Sequence, residues 1–555
     1  DPSHEGATGS TAAAAVPSAE PAAAMAERLV VCGERELRFG QVAPGVALSW
    51  RKAVFGSRAE MQTLPCVAVN TDGRVLTGTW RGELYAWQHD HNSSSKLWRR
   101  FDAHAGPLQS ISICHEQVDG AGFATGGADG VIILWNVDYE KLRHVDLNAL
   151  CKRSPLDVCG RPCLLPPSRG VHVRAVCWDP VEGRVLAGTE SNEVVRIQLR
   201  SGGEEATILT QGHQGGMMRE GEWRCLRSLA EHPQLPRFAT AGDDGAVKLW
   251  SLSPHKLHAA RRLRCIPRCL SYSPDGEHLA VGCDDGSLAI LSAELLQVLV
   301  EVAAPPKSAD GGAFGGLADD PSCACVAYSP DGRLLAVGDG RRTIRLYLVK
   351  SSDGSLQRAY RMIKVCTGHT GAVTSLGWSA DSSCLRTNCD TLELRRWDSD
   401  GVELEQNDKR LEKLEWASSD GGALFSRETA GVHETLKGED AKVRALGRSH
   451  GTGEKLLAVG DEYQQLKLMR YPCHKPPAES SCATCYGHAA ALSAVRFSFN
   501  DRYVLSAGGE DLTVFVWRIG TAPTAKTATG GAQAETGATV SEAVYDDEEG
   551  EEDDG

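Results

Sequence analysis

The 555-residue sequence contains no apolar run that reaches the ~18 residues of a membrane-spanning helix. No helical span is expected, and no membrane partner. Residues 1–27 hold neither Lys nor Arg, so the charged n-region of a secretory signal is missing. The phosphate-cradling pattern G-x-x-x-x-G-K-[ST] is absent, and the Gly-rich stretch at 311–316 carries no Lys to reach a phosphate. H-E-x-x-H does not occur, which removes the helical zinc-protease site. No enzyme activity, catalytic residue or cofactor is expected. Basic charge is also short: 59 Lys and Arg face 73 Asp and Glu, for a formal net charge of −14. Without a basic stripe, no nucleic-acid partner is expected.

Glycine, by contrast, is plentiful at 59 residues, as a chain of many tight turns requires. The clearest unit spans residues 487–517, GHAAALSAVRFSFNDRYVLSAGGEDLTVFVW. Gly487-His488 opens it, alternating apolar runs follow at 492–497 and 503–506, a turn falls at 508–511, and a third run closes at Trp517. Three short strands separated by tight turns make one blade of a propeller. His488 on the incoming loop, Asp511 in the turn and Trp517 on the third strand can join in a buried hydrogen-bond relay. A polar group left unpaired there would cost ~1–3 kcal/mol, so the relay also fixes strand register. The unit resembles a WD40 repeat.

Self-similarity at ~40–45 residues marks propeller blades. Here the third strands are expected to end at Trp87, Trp135, Ile197, Trp250, Leu291, Tyr347, Trp397, Tyr471 and Trp517. The interval from Trp397 to Tyr471 is too long for one ordinary blade and short for two. An irregular blade is therefore expected there, on 402–416 and 423–427. His104, Thr125, Asp129 and Trp135 supply a complete relay, and His213, Thr240, Asp244 and Trp250 a second. At 368–397, His369 and Trp397 are kept but Thr391 falls where Asp belongs, so that relay reads as incomplete. Residues 28–39 read as the second and third strands of a blade whose first strand is not identifiable. Residues 138–169 read as a long connection. The ends, 1–27 and 520–555, are expected to be disordered. The last eleven residues, YDDEEGEEDDG, hold eight acids, leaving −6 for the rest of the chain.

Three stretches go beyond generic repeats: RKAVFG with PCVAVNTDGRVLTGTWRGELYAW at 51–87, Glu415-Trp416-Ala417, and LKLMRYPC at 466–473. Their order resembles the echinoderm microtubule-associated protein-like family, collinearly from about residue 28 to 519. The resemblance implies an all-β chain of WD40-type propellers in tandem. The second, at 203–519, would have seven blades including the irregular one; the first, at 28–202, is only partly present. Residues 204–210, EEATILT, are expected to close the second ring as the outer strand of its last blade. The first ring reads as a fragment, or as one that another polypeptide completes. The implied partners are tubulin or microtubules, with other cytoskeletal or axonemal proteins, in the cytoplasm, the cytoskeleton or the cilium. The alternative is a generic scaffold such as a ubiquitin-ligase substrate receptor. Such receptors often carry Trp-Asp-x-Arg at a blade end, where Trp397-Asp398-Ser399-Asp400 has no Arg.

The four opening histidines could suggest metal binding or catalysis, but their positions favour buried structural roles. The 19 cysteines are odd in number and scattered, many inside apolar strand runs, so reduced buried thiols are expected. Cys473, His474, Cys482, Cys485 and His488 form the densest group, with one C-x-x-C step. Zinc needs four converging ligands. His488 is committed to its relay and no second C-x-x-C exists, so no metal is expected; Cys159 and Cys163 offer less still.

Overall fold

A computed structural model of the chain describes residues 27–42, 49–56, 59–88, 95–115, 122–152, 156–157, 171–200, 203–215, 223–253, 256–304, 320–351, 358–391, 393–405, 414–417, 428–435, 443–451, 455–475, 482–521 and 538–541. Among these, ten β-sheets succeed one another along the chain, with only two short helices, Leu147–Lys152 and Ala430–Thr435. Two compact units are distinguished, one of residues 1–150, 170–189 and 196–205, the other of 151–169, 190–195 and 206–555.

The sheets share one plan. In the sheet of residues 226–262, strands Leu226–Glu231, Arg237–Gly242, Ala246–Ser251 and Leu257–Arg262 pair antiparallel in chain order. Second strands such as Phe123–Gly127, His278–Cys283 and Leu334–Asp339 are buried at every position and combine small residues with Leu, Val or Phe. Fourth strands such as Lys96–Asp102 and Val298–Val302 have no fully buried position. First strands repeat one irregularity, a register shift near their start, at Leu108/Ser110, Leu226/Ser228, Pro267/Cys269, Cys323/Cys325, Val373/Ser375, Val443/Ala445 and Leu492/Ala494. A bulge bends and twists a strand, and here it recurs at one place in sheet after sheet.

In the second unit the first strands stand side by side. Leu226–Glu231 packs on Pro267–Tyr272, that on Cys323–Tyr328, and that on Val373–Trp378. Val443–Arg448 packs on Leu492–Phe497, which returns to Leu226–Glu231. The interval between Val373–Trp378 and Val443–Arg448 is filled by residues 415–417. Ala417 N donates to Trp378 O at 2.9 Å and Ala380 N to Glu415 O at 2.7 Å, while the Arg448 guanidinium donates to Trp416 O. The ring closes in this way. Apolar clusters fill the wedges between neighbouring sheets, for example Leu226, Leu229, Phe238, Leu252, Ala494, Leu505 and Ala507 at the closure. This is an all-β, multi-sheet fold of propeller type.

In the first unit, the expected pair at 28–39 is Glu27–Gly33 with Glu36–Val42, and Ser49–Lys52 adds a third strand. The connection at 138–169 contributes strand Lys141–Asp146 to the preceding sheet before the helix Leu147–Lys152.

Two expectations need correction. Residues 204–210 do not complete the last sheet. They lie in Gly203–Gln211, a strand of the sheet that also holds Val173–Asp179, Arg184–Thr189 and Glu193–Arg200. The last sheet instead takes Ala538–Ser541, paired antiparallel with Val514–Thr521, from within the stretch read as a disordered tail. A strand that begins only two residues after Glu193–Arg200 ends pairs locally more readily than at a distance, because the loop to be closed is shorter. Of the irregular blade, only 402–405 and 414–416 fall in the described residues. Residues 1–26, 522–537 and 542–555 lie outside them.

Candidate functional site

The polar groups that sequence reasoning singled out come from four places: the loop before each first strand, the second strand, the turn that follows it, and the third strand. His104 Nδ1 lies 3.1 Å from Asp129, its Nε2 lies 3.0 Å from Thr125 Oγ1, and Trp135 Nε1 donates to the same hydroxyl at 3.0 Å. His213 stands 3.0 Å from Asp244 and 2.8 Å from Thr240 Oγ1, to which Trp250 donates at 2.8 Å. His488 stands 3.0 Å from Asp511 and 2.8 Å from Ser506 Oγ, to which Trp517 donates at 2.7 Å. Ser506 was missed, although it sits two residues before Gly508 as Thr240 sits before Gly242. Each carboxylate also accepts the backbone N–H after the histidine, from Ala105, Gln214 and Ala489 at 2.8–2.9 Å. Burial pushes His213 below its ordinary pKa. Burial alone would raise Asp511, but the His488 imidazole and the Thr513 and Ala489 N–H groups hold it at about 2.

The His369 group differs from the expected one. Thr387 supplies the hydroxyl, 2.7 Å from His369 Nε2 and 2.9 Å from Trp397 Nε1. Thr391 does not meet the imidazole; its hydroxyl bonds Thr370 Oγ1 at 2.9 Å. The carboxylate comes from Glu393, which accepts the Thr370 N–H at 3.0 Å but stays 3.6 Å from His369 Nδ1.

Two sheets of the second unit hold an acid–base pair that sequence reasoning overlooked. Asp339 ends a second strand and lies 3.6 Å from the Arg345 guanidinium, which is itself 1% exposed. Arg345 also donates to Gly286 O at 2.9 Å and approaches Cys323 Sγ at 3.2 Å. Asp461 accepts from Lys467 Nζ at 3.0 Å. The signal was a repeated spacing, Gly338-Asp339 and Gly460-Asp461, each followed six residues after the Asp by a base.

The densest cysteine group does not converge. Cys482 stands just before the strand Ala483–Tyr486 and Cys485 lies within it. Cys482 packs with Val432, Leu446 and Cys473, while Cys485 packs with Phe497 and Trp517 in a different cluster. His488 is engaged with Asp511 and Ser506. Cys159 and Cys163 lie outside the described residues.

The first strands of the second unit surround a cavity of about 770 Å³ on the ring axis. Much of its charged lining is paired. Arg227 meets Asp243 at 2.7 Å, Arg496 meets Glu231 at 3.1 Å, and Arg444 pairs with Glu462. His450 joins Asp501 at 2.9 Å and Glu231 at 3.8 Å. Burial works against its charge, yet bonds to these two carboxylates hold its pKa up to about 9.

A family model described as the echinoderm microtubule-associated protein second beta-propeller matches residues 226–519, more than half of the chain. The chain belongs to the echinoderm microtubule-associated protein-like family. Among curated relatives it is 29% identical over 497 residues to human echinoderm microtubule-associated protein-like 2, covering 88% of this chain and 66% of that protein. To the mouse echinoderm microtubule-associated protein-like 3 it is 27% identical over 508 residues, 88% of this chain and 50% of the relative. To the mouse echinoderm microtubule-associated protein-like 4 the figures are 27% over 505 residues, 89% and 45%. The chain thus spans between about half and two thirds of the relatives it matches. Membership of this propeller family assigns a scaffold, not an enzyme. No helix among the described residues is long and apolar enough to cross a membrane.

Proposed function

We propose that this chain is a cytoskeletal scaffold that binds tubulin or microtubules through the surfaces of its propellers. The observation that carries this reading is collinear similarity over 88–89% of the chain to proteins named as microtubule-associated. On this reading the sheets from residue 226 to residue 541 form a seven-bladed second propeller in which the segment around Trp416 stands for the irregular blade, and the four sheets before them contribute part of a first. The complete relays of His104, His213 and His488 pin strand register and do not bind ligand. The workplace is the cytoplasmic cytoskeleton, with the ciliary axoneme and its proteins as a specialised setting.

A net charge of −14 opposes long-range approach to an acidic lattice, so attachment rests on local complementary patches. The experiment is microtubule co-sedimentation beside a soluble-tubulin pull-down, with the full chain and with a variant lacking residues 545–555. Soluble tubulin is expected to be retained and microtubules to be bound weakly at low salt, with improvement when the acidic end is removed. Failure to retain tubulin in either form at any salt overturns the proposal.

A further inference from the structure

Three relays obey a local steric rule. Two residues after the Ser or Thr stands a glycine, at 127, 242 and 508. A Cβ at Gly127 would lie 2.5 Å from both His104 Nδ1 and Asp129 Oδ1, one at Gly242 would lie 2.8 Å from His213 Nδ1, and one at Gly508 would collide with the Asp511 carboxylate. No side chain fits where carboxylate meets imidazole. The fourth group breaks the rule twice at once: Cys389 occupies the glycine position and Thr391 the aspartate position. A thiol stands where the other three relays have no side chain, with Thr391 Oγ1 2.9 Å from its sulfur.

Around it the donors converge. Glu393 Oε2 lies 3.6 Å from His369 Nδ1 and 3.9 Å from Cys389 Sγ, and all three donor atoms lie within 4.8 Å of one another. His369 is 6% exposed, and its Nδ1 is buried without a hydrogen-bond partner. With Nε2–H donating to Thr387, Nδ1 presents a lone pair toward the thiol and the carboxylate. This is the arrangement by which a second-shell hydroxyl fixes the tautomer of a metal-binding histidine.

We propose that His369 Nδ1, Cys389 Sγ and Glu393 Oε2 bind one divalent cation of the zinc class. Zinc bonds to nitrogen, oxygen and thiolate sulfur of ~2.0–2.3 Å set tetrahedral ligands about 3.4–3.6 Å apart. The separations of 3.6 and 3.9 Å from Glu393 need to close by only a few tenths of an ångström. A mixed N, S and O set suits this borderline-soft ion. The exposed hydroxyls of Thr370 and Thr391 mark the side from which the ion enters and a water supplies the fourth ligand. Thr370 N and Oγ1 also bond Glu393 Oε2, at 3.0 and 3.1 Å, and help to aim it. Arg395 holds the other oxygen at 2.7–2.9 Å and pairs with Glu403 at 2.8 Å. On binding, the cation replaces the Cys389 thiol proton, which leaves to solvent. The two positive charges of the ion then face the thiolate and Glu393, while Arg395 faces Glu403.

The test is titration of the full chain, kept reduced, with Co²⁺ followed by Zn²⁺. A thiolate-to-cobalt charge-transfer band that saturates at one equivalent and is displaced by Zn²⁺ is expected. Cys389→Gly, which restores the residue of the other three relays and so preserves the fold, is expected to abolish that component. Glu393→Gln is expected to weaken it at least about tenfold. Zn²⁺ is also expected to raise the thermal midpoint of the parent chain but not that of Cys389→Gly. Superimposable cobalt titrations of the parent and Cys389→Gly overturn the proposal.

Discussion

The sheet of residues 226–262 and the sheet of residues 323–367 meet one requirement by different chemistry. In the first, Thr240 faces Lys248 across the ladder and receives the His213 relay; in the second, the equivalent pair is Val337 and Arg345. Each must hold the turn after its second strand and tie it to what precedes the sheet. The first does so with an imidazole from the incoming loop. The second does so with a guanidinium that reaches back to Gly286 O in the neighbouring sheet. Apolar packing leaves strand register free to slip in steps, and a buried polar bond that fits only one register removes that freedom. What the blade needs is one satisfied polar anchor, and the identity of the anchor is secondary.

The comparison can be broken most forcefully at Asp339. Asp339→Ala leaves the buried Arg345 charge without its carboxylate and is expected to cost ~3–5 kcal/mol in chemical denaturation of the second unit. Adding Arg345→Met is expected to restore most of that loss, since neither charge is then stranded; a double variant as unstable as the single would refute the pairing. The relay side is softer. His213→Ala is expected to cost ~1–3 kcal/mol, and His369→Ala less, because His369 makes one such hydrogen bond where His213 makes two. Equal losses would show that the Glu393 contact at 3.6 Å already acts as a full bond.

The smallest effect is a pH dependence. His450 has a folded pKa of about 9 against ~6.5 unfolded, so its contribution is complete below pH ~6.5 and lost as pH rises through 9. Its ring is partly exposed, which trims the effect to ~1–2 kcal/mol between those limits. His450→Gln is expected to remove that slope; an unchanged slope in urea midpoints measured from pH 6 to 9 would place the proton elsewhere.

The inner three strands of most sheets were legible in the sequence because burial imposes a pattern. Each of the nine third-strand ends, from Trp87 to Trp517, lies within a strand. Fourth strands were not legible. Lys96–Asp102 and Lys141–Asp146 face water on much of both sides, so no alternation marks them. For the same reason residues 204–210 could be identified as a strand but assigned to the wrong sheet. The relays were legible wherever His, Asp and Trp kept their spacing. Glu393 was missed because a longer side chain reaches the site from two residues further on, and Ser506 because only the larger landmarks were traced. The acid–base pairs escaped notice since Asp and Arg are ordinary turn and surface residues until burial gives them a task.

The closure of the ring also sets a timetable for synthesis. Leu226 and Leu229 are covered by Ala494, Leu505 and Ala507, residues that follow them only after most of the unit has been made. At ~5–20 residues per second, a ribosome takes roughly 13–50 s to pass from residue 226 to residue 492. Throughout that interval the apolar flank of the first-made sheet waits for a neighbour that does not yet exist. The nascent chain therefore spends most of its assembly as an open arc with one adhesive end, and its yield in a cell depends on what shields that end until the last repeat emerges.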